Sequence, residues 1–121
     1  MKNKTFWQSI CCAARGMKIG FKSEKNLKIY LGYFITFMIF NILLKSSIIE
    51  ICILILVSSG MFALEYVNTT IEYICDNFTQ EFNDKIGVIK DLAAAGVLSI
   101  GVGFWLTQAS ILIPKFVRLF L

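Results

Sequence analysis

The sequence predicts an all-α membrane protein, with an N-terminal amphipathic surface helix followed by three transmembrane helices. Three observations carry that reading. Hydrophobic residues make up 57% of the 121-residue chain and the mean hydropathy is +0.72, too apolar for a soluble domain of this size. Three uncharged apolar runs, at 29–44, 51–64 and 92–113, are separated by polar or charged stretches. Lys2, Lys4, Arg15, Lys18, Lys22, Lys25 and Lys28 all precede the first run, the charge pattern of a segment beside anionic cytoplasmic lipid. No aromatic and basic interleaving of the RNA-binding kind accompanies that charge, so nucleic acid is not expected as a partner. The chain reads as one membrane domain, 1–121, with a retained N-terminus: no small-residue cleavage site follows the first apolar run.

From about 5 to 22, Phe6, Ile10, Ala13, Ala14, Met17 and Phe21 recur at helical spacing while Lys and Arg fall mostly off that stripe. This predicts a helix lying on the membrane surface. Glu24 follows, alone among basic residues, and its simplest local partner is Lys28 at i+4.

The first transmembrane helix is placed at about 29–44, where sixteen residues reach roughly 24 Å and Lys28 and Lys45 can snorkel to the interfaces. Lys45, Ser46 and Ser47 then form a short turn, so the next helix must be an antiparallel neighbour. That second helix is placed at 48–70 with a cytoplasmic extension to about 80. Only fourteen of its residues, 51–64, are uncharged, which puts Glu50 at one interface and Glu65 at or just inside the other. The polar stretch 77–89 is expected to turn at Gly87. Asn68 and Asn77 each open an Asn-X-Thr pattern, but a helix on the cytoplasmic side is the wrong place for glycosylation. The third helix is placed at about 91–113, long enough to span, with Pro114 expected to end it. Within it Ala95, Ser99, Gly103 and Thr107 make a small-residue face suited to packing. Counting basic residues around each helix places the N-terminus and the loop between the second and third helices in the cytoplasm.

The functional signal is a polar stripe on the second helix. Glu65, Asn68, Thr69, Glu72 and Asp76 lie at offsets of 3, 4, 7 and 11, which return to one side of a helix. Carboxylates beside hydrocarbon cost several kcal/mol unless they meet a cation, a proton or a partner. With no histidine, and with Cys11, Cys12, Cys52 and Cys75 forming no CxxC pair, the usual zinc and haem ligand sets are missing and soft-metal chemistry is not expected. Hard carboxylate oxygens suit Mg²⁺, and a Mg-nucleotide is the expected ligand. Lys90 offers a positive charge for a phosphate, and one carboxylate must stay free to take a proton from an attacking hydroxyl. Glu81 and Asp84 read as solvated loop residues. No glycine-rich phosphate loop is present, so side chains and metal would have to hold the nucleotide.

The run 65–72 (EYVNTTIE), then Asp76, then 90–98 (KDLAAAGVL), together with Phe6, Gly16, Glu24 and Asn26, resembles the signature of the small bacterial integral-membrane lipid kinases, the diacylglycerol kinase and undecaprenol kinase family. The resemblance covers nearly the whole chain. It implies a homotrimer in the bacterial cell membrane that transfers the γ-phosphate of ATP to a lipid alcohol. It further implies Glu65 as general base, Glu24 and Glu72 as Mg²⁺ ligands, Lys90 and Asp91 as nucleotide contacts, and Asn68 and Asp76 in support. The stretch 24–28 (EKNLK) is closer to the undecaprenol branch than to the diacylglycerol branch. Three positions depart from the pattern: Tyr30, where the undecaprenol branch often has histidine; Asn83, where a loop histidine is usual; and Cys12, where some members have tyrosine. The competing reading is a holin-like or scaffolding membrane protein, which would need a polar face through the bilayer where 35–40, 51–57 and 97–106 are largely apolar.

Overall fold

The computed structural model describes residues 5–78 and 84–121, and they form four helices: α1 (Phe6–Ser23), α2 (Lys25–Leu43), α3 (Ile48–Phe78) and α4 (Asp84–Phe120). The last three are long and apolar enough to cross a membrane. The expected architecture of one surface helix and three spanning helices therefore holds. Glu81 and Asn83 lie outside the described residues.

Helix α1 starts at a capping box in which Thr5 Oγ1 accepts from the Gln8 amide while Gln8 Oε1 accepts from the Thr5 amide. Its first turns carry Phe6 and Trp7 almost bare, at 82% and 70% exposed, as a helix resting on lipid requires. Its last turn is docked: Gly20 is buried and the Phe21 ring stacks on Phe62 of α3 at 6.0 Å. A single extended residue, Glu24, then separates α1 from α2 and redirects the chain.

Between α2 and α3 the chain reverses within four residues. Lys45 takes a left-handed φ of 55°, which lets the Ser46 amide return to the Asn41 carbonyl at 2.9 Å. Ser47 and Glu50 then cap α3 reciprocally, and the spare capacity of Glu50 Oε2 receives Lys115 Nζ at 2.8 Å. That ion pair pins the start of α3 to the far end of α4.

The core of the bundle is a column of Leu54, Met61 and Phe104, with Tyr30, Phe34, Phe37, Met38, Val57 and Ile100 against it. Gly60 admits Ile100, since a Cβ there would stand 3.1 Å from its Cδ1. One buried polar contact crosses this region: Asn41 Nδ2 donates to Gln108 Oε1 at 2.9 Å, both residues being fully enclosed. In the single chain α4 packs through Ile100, Phe104, Gln108 and Leu112, while Ala95 and Ser99 of the small-residue face stay exposed.

Two sequence expectations need correction. Gly87 is no turn, because α4 is already helical from Asp84 and a helical glycine costs only about 1 kcal/mol relative to alanine. Pro114 does not end the last helix, which continues to Phe120. Proline removes one amide donor, and a helix packed in a membrane tolerates that loss because local adjustment and neighbouring groups satisfy the freed carbonyl. At about 46 Å, α3 is longer than the hydrocarbon core, so its C-terminal turns stand clear of it.

Candidate functional site

The site is built on the C-terminal half of α3, where the polar stripe faces α1 and α2. Glu65 is 2% exposed, and each of its carboxylate oxygens has a donor from α2. Asn26 Nδ2 reaches Oε1 at 3.1 Å and the Tyr30 hydroxyl reaches Oε2 at 3.3 Å. Asn26 and Tyr30 are four residues apart, one above the other on the same face of α2. A carboxyl enclosed in this way has its buried oxygens satisfied by hydrogen bonds from a single helix.

One turn further along, Asn68 is buried and its Nδ2 donates to Glu72 Oε1 at 3.4 Å. Its Oδ1 is buried with no hydrogen-bond partner among the described residues. Asn68 therefore stands between Glu65 and Glu72 on one face of α3, with an acceptor left over.

Glu72 opens onto a cleft of about 740 Å³ between α1 and the membrane-exit turns of α3. Ala13, Gly16, Met17 and Gly20 form its α1 wall, and Tyr66, Thr69, Tyr73 and Asp76 its α3 wall. Gly20 sets the width, because a Cβ there would lie 2.6 Å from Tyr66 Cε1. The Tyr66 and Thr69 hydroxyls, buried along this wall, have no hydrogen-bond partner among the described residues.

Glu24 lines the same cleft as Glu72 and Asp76. Among the described residues it makes no ion pair with Lys28, so the local salt bridge that sequence spacing favours is not formed. The cause is the break between α1 and α2: Glu24 is extended and outside both helices, so the i,i+4 geometry does not apply to it.

Lys90 Nζ donates to Asp76 Oδ1 at 2.9 Å, placing an ammonium at the rim of the cleft. That hydrogen bond, and then the charge of Asp76, hold the Lys90 pKa above its ordinary value, with a lesser push from Glu72. Asp91 is exposed on α4 and does not line the cleft. Of the sequence-derived candidates, Glu24, Glu72 and Asp76 share one cleft, Glu65 and Asn68 lie buried beside it, Lys90 is tied to its edge, and Asp91 is left outside.

A divalent cation fits this donor set. Among the described residues no group of three or more His, Cys, Asp or Glu side chains converges, yet Mg²⁺ needs only one or two carboxylates and completes its shell with water and phosphate. Glu24 and Glu72 both line the cleft, and two carboxylates there would meet that need. Sequence reasoning missed what holds Glu65. Asn26 and Tyr30 stood out only as parts of a pattern, although their i,i+4 spacing at the head of an apolar helix was a usable signal.

The prokaryotic diacylglycerol kinase family model matches residues 11–112. The chain is 32% identical over 110 residues to the undecaprenol kinase of Bacillus subtilis (strain 168), covering 91% of this chain and 89% of that protein. No solved structure matches it.

Proposed function

We propose, since this chain belongs to the prokaryotic diacylglycerol kinase family and is a lipid kinase, that it phosphorylates undecaprenol in preference to diacylglycerol, with ATP as donor and Mg²⁺ as cofactor. The observation that carries this reading is the pairing of a buried, hydrogen-bonded Glu65 with a neighbouring cleft that holds Glu24, Glu72 and the Asp76–Lys90 pair. The preference for undecaprenol rests on the likeness to the Bacillus subtilis enzyme.

In this account the lipid hydroxyl reaches Glu65 from the bilayer side. Its proton passes to the carboxylate as its oxygen bonds to the γ-phosphorus, and ADP leaves. Glu24 and Glu72 hold the metal, which when bound offsets the charge on the phosphate oxygens. Asn68 keeps Glu72 oriented, Asp76 keeps Lys90 at the rim, and Lys90 contributes a positive charge toward phosphate. Asp91 belongs to the nucleotide contacts in this reading, through a rearrangement or a neighbouring subunit, since it is outside the cleft of the single chain.

The reading includes a homotrimer of a single 1–121 membrane domain, with the N-terminus cytoplasmic. The basic N-terminal segment supports that orientation, and the exposed Ala95 and Ser99 support close approach of another helix. The holin-like alternative is set aside, because family membership makes the chain a kinase and its spanning helices carry no continuous polar face.

The test is a side-by-side assay in lipid with radiolabelled ATP and either undecaprenol or diacylglycerol. Faster labelling of undecaprenol is expected; faster labelling of diacylglycerol reverses the substrate assignment.

A further inference from the structure

We infer that Tyr30 is a positioning residue for Glu65, fixing the carboxylate in the orientation that receives the substrate proton. This rests on the assignment of Glu65 as general base made above.

Three observations carry it. The Tyr30 hydroxyl donates to Glu65 Oε2 while Asn26 occupies Oε1, so both oxygens are anchored from one helix. A carboxylate oxygen has two acceptor sites, so each retains one after these bonds form, and the freedom removed is that of the side-chain torsions. The phenol is itself braced, standing edge-on to Phe62 at 6.4 Å and an interplanar angle of 83°, and packed against the Leu54–Met61–Phe104 core. Phe62 in turn stacks on Phe21, so a line of rings runs from α1 by way of Phe62 to the phenol that bonds Glu65. Glu65 on its own is a long side chain on an apolar helix, and nothing else among the described residues donates to Oε2.

The chemistry also accounts for the residue type. A phenol at this place supplies an O–H donor with an apolar ring that packs against Phe62, which a phenylalanine would reproduce without the bond. A donor-bearing imidazole ring meets part of the same need.

The experiment compares kcat and KM for wild type, Tyr30→Phe, Tyr30→His, Glu65→Gln and the Tyr30→Phe/Glu65→Gln double variant, all in lipid with undecaprenol and ATP. Tyr30→Phe is expected to lower kcat about ten- to a hundredfold, with KM for both substrates within about twofold of wild type. Tyr30→His should retain more kcat than Tyr30→Phe. In the Glu65→Gln background the loss of the hydroxyl should cost nothing further, because a residue that acts through another is silent once that other is gone.

Wild-type kcat in Tyr30→Phe together with an inactive Glu65→Gln overturns the Tyr30 inference alone. A loss in the double variant equal to the product of the two single losses also overturns it, since Tyr30 would then act independently. So does a Tyr30→His variant slower than Tyr30→Phe. Wild-type kcat in Glu65→Gln removes the underlying base assignment instead. A raised KM for ATP in Tyr30→Phe marks a packing role and counts against positioning.

Discussion

Lys90 Nζ and Asp76 Oδ1 meet at 2.9 Å, tying the start of α4 to the last turns of α3 at the rim of the cleft. Both side chains are substantially open to water, so the pair is screened and its value is in placement more than in stability. Lys90→Met is expected to raise KM for ATP several-fold while changing kcat less, as measured by steady-state kinetics at fixed lipid. The raised Lys90 pKa gives a sign for pH. The pair's contribution to stability is complete below the unfolded lysine value of about 10.4 and is lost as pH rises through the higher folded value. Thermal unfolding between pH 6 and 9 should therefore show no Lys90-dependent trend, and one should emerge only above that range.

Glu24 and Glu72 approach the cleft from different elements, so neither carboxylate can replace the other. Glu24→Gln and Glu72→Gln should each shift the Mg²⁺ concentration for half-maximal activity upward by at least about tenfold. A magnesium titration of the purified variants reads this directly, and excess metal should restore part of the rate.

The narrow approach of α1 to α3 depends on Gly20. Gly20→Ala places a methyl group 2.6 Å from Tyr66 Cε1, closer than carbon atoms can stand, so either the ring must turn or α1 must lift. The expected cost is about 1–3 kcal/mol by chemical or thermal unfolding, accompanied by a raised KM for ATP. Gly16→Ala serves as the control, since a Cβ there meets nothing within 4 Å.

The enclosed amide pair Asn41–Gln108 predicts non-additivity. Asn41→Leu leaves the buried Gln108 amide without its partner and should destabilise by about 1–2 kcal/mol, while Gln108→Leu should cost less because Asn41 Nδ2 keeps its bond to the Phe37 carbonyl. The double leucine variant should recover most of that loss, because two apolar groups replace two polar ones.

The polar stripe was legible in the sequence because helical periodicity is a local property: Glu65, Asn68, Glu72 and Asp76 follow from spacing alone. Glu24 was not legible in the same way. Its sequence neighbours point to Lys28, and only the break between α1 and α2 carries it into the cleft. The partners of Glu65 were hidden for a related reason, since Asn26 and Tyr30 lie 39 and 35 residues away along the chain and meet it only when α2 packs on α3. Gly87 and Pro114 misled because their force as breakers is a preference that packing in a long apolar helix overrides. The long α4 helix therefore runs past both residues that local chemistry marks as its ends.

The most direct measurement is phosphate transfer from labelled ATP to undecaprenol by Glu65→Gln, with ATP binding followed in parallel. Glutamine keeps the size of the side chain and the bond from Asn26 but cannot take up the lipid proton. A fall in kcat of about 10²- to 10⁴-fold is expected, with ATP binding nearly unchanged. Transfer at the wild-type rate would contradict it.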